Sequence, residues 1–73
     1  MINRAQCRAA RGLLDWTQED LAKHSGVGHN TITKFESGHT SPRHSTLVVL
    51  QTTFEKAGIQ FTDEGGIGVK LTE

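Results

Sequence analysis

The residues best equipped for chemistry cluster in the middle of the chain. Four histidines stand at His24, His29, His39 and His44. Imidazoles can ligate a metal, shuttle protons or take up charge near neutral pH. Their spacings of five, ten and five match neither an i,i+4 helical pair nor a zinc signature, so no metal or other cofactor is expected. The single cysteine, Cys7, excludes an internal disulfide and a multi-thiolate metal site. Its type suits a small core position. Serine, histidine and aspartate all occur, but in no spacing that implies a catalytic triad, and so short a chain leaves little room for a substrate cleft. No enzymatic activity is expected. The polar side chains of His29, Asn30, Thr33 and Lys34 offer recognition chemistry instead. An asparagine amide can pair bidentately with adenine, a lysine suits a guanine edge or a phosphate, and a threonine can donate, accept or touch a thymine methyl.

Elements must hold these groups in place, and composition bounds which. Seventy-three residues make one domain. At this size folding buries only roughly 60% of the exposable surface, so the core is thin. Aromatic residues are few (three Phe, one Trp, no Tyr), which suits helices better than an aromatic-rich sandwich. No apolar run approaches the ~18 residues of a membrane span. Met1-Ile2-Asn3-Arg4, followed by further arginines, does not read as a signal peptide, so a cytoplasmic protein is expected. Net charge is zero, but it is unevenly spread. Residues 1–45 carry six Lys and Arg against four Asp and Glu, and residues 46–73 carry two against four. The front of the chain is therefore the part expected to face an anion.

Helical period and caps divide the chain. Asn3 with Gln6 forms a capping-box pattern, and Cys7, Ala10 and Leu14, with Ala9 and Leu13 beside them, predict a helix over about 3–14. Asp15 then takes a left-handed terminus. Thr17 opens a second helix, with Glu19 and Asp20 in its first turn, Leu21, Ala22 and Ser25 inward, and Gly26 ending it. A third runs from Gly28 or His29 to Ser37, with Ile32 and Phe35 inward and Gly38 as its stop. After a loop over 38–43, Leu47, Leu50, Phe54 and Ala57 predict a fourth helix over 44–57, although Thr46, Val48, Val49, Thr52 and Thr53 favour strand locally. Beyond it Ile59 and Phe61 alternate, Asp63-Glu64-Gly65-Gly66 turns, and Ile67, Val69 and Leu71 alternate, the pattern of a β-hairpin. Such a hairpin needs its apolar face covered by the helices or by a partner chain.

Helices two and three meet across a tight turn: Ala22 is small at the crossing, Gly26 turns the chain, Val27 plugs the angle and Ile32 locks the second helix onto the first. This is the logic of a helix-turn-helix, whose second helix lies in a DNA major groove. Thr17-Gln18-x-x-Leu21-Ala22, Gly26-Val27, Thr31-Ile32-x-x-Phe35-Glu36-x-Gly38 and Pro42-x-x-x-Thr46-Leu47 together resemble the Cro/C1-type (Xre-like) helix-turn-helix domains of bacterial and phage repressors. The resemblance covers about residues 5–57, and the tail is similar to that of short one-domain members. It implies a mainly α, four-helix lambda-repressor-like DNA-binding domain with a C-terminal β-hairpin at 59–71.

By the same resemblance, Gln18 touches the DNA backbone or a base, His29, Asn30, Thr33 and Lys34 read bases, and His39, Thr40 and Ser41 lie along phosphates with Arg43 nearby. Arg11 pairs with Glu36 as a partly buried structural pair. Gly28 stands where a serine or threonine usually caps the recognition helix, and Asp15 where glycine is usual. Trp16 is expected at the corner of helices one and two. Two copies are needed for useful affinity, so a homodimer on a near-palindromic duplex is expected, built from the hairpin and part of helix four. Protonation of the histidines is expected to tighten binding as pH falls from 8 to 6. The alternative is a protein-interaction module of the same fold, an antitoxin-like subunit holding a partner protein.

Overall fold

Side-chain capping boxes open the first two helices, and a residue in left-handed conformation closes each of the first three. A computed structural model describes residues 1–62 and 68–72. It contains α1 (Arg4–Leu14), α2 (Gln18–Ser25), α3 (His29–Ser37), α4 (His44–Lys56), β1 (Ile59–Thr62) and β2 (Gly68–Leu71). The turn expected at 63–66, and Ile67, lie outside the described residues. At α1, Asn3 Oδ1 accepts from the Gln6 N–H at 2.8 Å and Gln6 Oε1 accepts from the Asn3 N–H at 2.9 Å. At α2 the reciprocal pair is Thr17 and Asp20, at 3.0 and 2.9 Å. Asp20 therefore does more than face the helix dipole: it closes a capping box. The first three helices end left-handed at Asp15 (φ 58°), Gly26 (φ 77°) and Gly38 (φ 83°).

The core is built from Ile2, Cys7, Ala10, Leu21, Ile32, Phe35, Leu50, Phe54 and Ile59. Every helix contributes, so no helix is stable without the others. Leu14, Ala22 and Leu47 are half-buried at its margin. Two expected neighbours fail to join. Ala9 is exposed and Leu13 is 45% exposed, because the buried face of α1 is the narrow stripe through Gln6, Cys7 and Ala10. Ile2, outside any helix, takes a core place that periodicity did not assign. Its N–H donates to Gln51 Oε1 of α4 at 3.1 Å, tying the N-terminus down. In α4, period prevails over propensity: Leu50 and Phe54 are fully buried and worth roughly 1.5–3 kcal/mol each, against tenths for the β-branched residues beside them.

The strands pair antiparallel, with Ile59 opposite Leu71 and Phe61 opposite Val69. These four share one face, and that face packs on the core, β2 against α1 and β1 against α4. The hairpin's apolar side is thus covered by the chain's own helices. Among the described residues of α4 and the hairpin, the exposed large apolar side chains are Val48 and Val49 of α4, 39% and 41% exposed.

Candidate nucleic-acid interface

Helix α3 is nine residues long and shows two faces. Ile32, Phe35 and Glu36 are buried, and His29, Asn30, Thr31, Thr33, Lys34 and Ser37 are exposed. At 100° per residue the exposed set spans an arc of about 200°, of which His29, Asn30, Thr33, Lys34 and Ser37 take about 140° and can face one groove. Its N-cap, Gly28, makes no side-chain cap bond, so the first turn's amides remain open at the exposed end of the helix. The site residues read from the sequence fall into three groups. Gly28, His29, Asn30, Thr33 and Lys34 lie exposed along α3 or at its start. His39, Thr40 and Ser41 lie exposed in the loop after it, and Arg43 is exposed at the start of α4. Gln18, half-buried at the start of α2, is drawn inward instead.

What draws Gln18 inward is Glu36, a carboxylate only 3% exposed. Arg11 holds it with two donors, Nη2 to Oε1 at 2.5 Å and Nε to Oε2 at 2.7 Å. Gln18 Nε2 donates to Oε1 at 3.2 Å and the Cys7 thiol to Oε2 at 3.1 Å. Burial by itself would raise the Glu36 pKa. The hydrogen bonds from Arg11, Cys7 and Gln18 and the guanidinium charge outweigh it and hold the carboxyl below its ordinary value. Burial, together with the bond to Glu36, pushes the Cys7 thiol far up, so it stays protonated. Arg11 also donates from Nη1 to the Trp16 carbonyl at 3.1 Å, fastening the α1–α2 corner. The expected Arg11–Glu36 pair is present, and it is the centre of a five-residue network joining three helices.

The arginines of α1 need a different account from the one charge counting supplied. Arg4, Arg8 and Arg11 fall at i, i+4 and i+7, on one face of the helix. Arg8 Nη1 donates to the Glu36 carbonyl at 2.6 Å, and Arg4 Nη1 approaches the Ser37 carbonyl at 3.5 Å. Three of the six front-half bases therefore serve the C-terminus of α3, where cations oppose the negative helix end. Lys34 and Arg43 are the exposed bases of α3 and the segment after it. Gly38 belongs to the same device. Its φ of 83° suits glycine, and a Cβ there would collide with the Arg4 guanidinium.

The histidines separate. His29 and His39 stand at the two ends of α3, and His39 Nδ1 lies 2.6 Å from Ser37 Oγ, whose proton goes to the Lys34 carbonyl. His24 is elsewhere: its ring stacks on Trp16, centroids 4.2 Å apart and 4° from parallel, beside a groove between α2 and α4. Trp16 also stacks on Phe54 at 6.0 Å, which places it at the corner as expected. Among the described residues no three His, Cys, Asp or Glu side chains gather where a metal could be held, and no helix is long and apolar enough to cross a membrane.

Two short helices with a left-handed glycine between them, the second exposing a polar stripe over an apolar lock, define the helix-turn-helix class. A helix-turn-helix family model matches residues 8–56, two-thirds of the chain, and the chain belongs to that family, of the Cro/C1 type. It is a family of DNA-binding regulators rather than of enzymes. No curated protein gives a significant match.

Proposed function

We propose that the protein is a sequence-specific duplex-DNA binder, a small transcriptional repressor acting in the cytoplasm, with α3 in the major groove. The exposed stripe His29, Asn30, Thr33, Lys34 carries this reading, because it is the polar face of a helix whose opposite side is locked into the core. Asn30 pairs with adenine, Lys34 takes a guanine edge or a phosphate, and His29 reaches a flanking base. The Gly28 backbone, His39, Thr40, Ser41 and Arg43 contact phosphates and set the register, while Gln18, drawn inward to Glu36, holds Thr33 in place. A homodimer spaces two α3 helices about one DNA turn apart. Its contact is best supported on α4, where Val48 and Val49 remain exposed. Val49→Asp is expected to yield a folded monomer; an undiminished dimer in sedimentation would remove α4 from the interface.

Salt tests the reading against its alternative. DNA affinity measured at two ionic strengths should fall with a log–log slope of about −0.9 per phosphate contact. The groove between α2 and α4, lined by Trp16, Val48, Val49 and Ala57, favours the second reading, a protein-interaction module. Weak, sequence-blind DNA binding with an undiminished contact to a protein at high salt would favour that module.

A further inference from the structure

The hydrogen-bond polarity of the exposed stripe is set from inside the core. An ionised carboxylate accepts hydrogen bonds and cannot donate one. The Glu36 oxygens accept from Arg11 twice, from Cys7 and from Gln18. Gln18 must therefore turn its amide nitrogen, not its oxygen, toward Glu36. Its oxygen is then aimed at α3, where the Thr33 hydroxyl donates to it at 2.9 Å. A hydroxyl has one proton. With that proton committed to Gln18, Thr33 presents outward only lone pairs and a methyl group, and Gln18 keeps one N–H to offer.

We propose that Glu36, acting through Gln18, makes Thr33 an obligate acceptor on the reading face, so that the base facing Thr33 is selected for an exocyclic amino group. Adenine N6 and cytosine N4 carry one; guanine and thymine present O6 and O4 there and leave the Thr33 lone pairs unpaired. The inference rests on the reading of α3 as the base-contacting helix. Within it, Thr33 reads bases, and Gln18 and Glu36 are positioning residues for that contact.

The test is selection of random duplex DNA by the full chain and by two variants, with thermal melts checking that each is folded. Thr33→Val keeps the methyl and removes the lone pairs at an exposed position, so its fold is secure. It identifies the base Thr33 faces as the position where preference is lost, by about fivefold for a contact of about 1 kcal/mol. In the unmodified protein that position should hold adenine or cytosine. Gln18→Met frees the Thr33 proton and should admit guanine or thymine at that same position, leaving the others unchanged. A purely structural Gln18 would lower affinity evenly and move no single position. Guanine or thymine preferred there by the unmodified protein, or a Gln18→Met motif identical to the original, overturns the inference, as does a Thr33→Val variant with every position intact. Failure of the unmodified protein to select any motif is a separate outcome, which removes the base-reading role of α3 and the inference with it.

Discussion

Arg11→Met isolates the buried network. The substitution keeps an unbranched apolar stem and removes three donated bonds, two to Glu36 and one to the Trp16 carbonyl. Glu36 stays 3% exposed with only Gln18 and Cys7 as donors. Breaking a buried pair from one side costs about 3–5 kcal/mol. The Arg11 side chain is 18% exposed, so water can reach the vacated space and the lower end, about 3 kcal/mol, is expected. A 73-residue domain holds about 4–11 kcal/mol in total, and each kcal/mol moves Tm by about 4–8 °C. Urea and thermal unfolding followed by circular dichroism should therefore show a Tm lowered by about 12–24 °C at pH 7. The loss should also depend on pH. With Arg11 present, Glu36 sits below its ordinary value, so its contribution is full above the unfolded-state pKa of about 4.3 and fades as pH falls through the folded-state value. Without Arg11, burial raises Glu36, and the variant regains stability as the carboxyl protonates. The difference between the proteins should shrink toward acid. A loss below about 1 kcal/mol at pH 7, the value of a surface pair, or one independent of pH, refutes the network. So does weakened DNA binding with unchanged stability.

Four smaller perturbations follow from the backbone and the core. Asp15 is the one non-glycine residue with positive φ among the described residues, so Asp15→Gly should stabilise by about 0.5–1 kcal/mol in urea melts. Gly38→Ala should destabilise by at least about 1 kcal/mol, because φ is positive and Arg4 must leave the end of α3, whereas Gly28→Ser, with φ −60° and only an ordinary contact to Thr31 Oγ1 at 3.9 Å from its Cβ, should gain a few tenths. Cys7 is fully buried and its thiol is held protonated, so alkylation at pH 8 should occur only at the rate of global unfolding; rapid labelling of the native protein would contradict the packing.

Much of the fold was legible because its signals are local. The Asn3–Gln6 box, the left-handed Asp15 and the glycines after α2 and α3 depend on neighbours within a few residues, and each is where its chemistry put it. The period of Leu47, Leu50 and Phe54 outweighed β-branching because burial is worth more than propensity. What stayed hidden depends on residues far apart in sequence. Nothing local marks Ile2 as core, and the burial of Glu36 was implied by the family resemblance rather than by its neighbours, since their partners lie 49 and 25 residues away. Charge counting did not show that Arg4 and Arg8 reach the end of α3; their i, i+4, i+7 spacing with Arg11 was the available sign of a shared face. The hairpin's apolar face was visible, but whether helices or a partner would cover it was not.

The proposed function rests on α3 reading bases. Selection of random duplex DNA by the purified protein, repeated with Asn30→Ala, tests this most directly. A near-palindromic motif that loses adenine preference at one position per half-site in the variant is the predicted result. Equal, sequence-blind recovery by both proteins would contradict it.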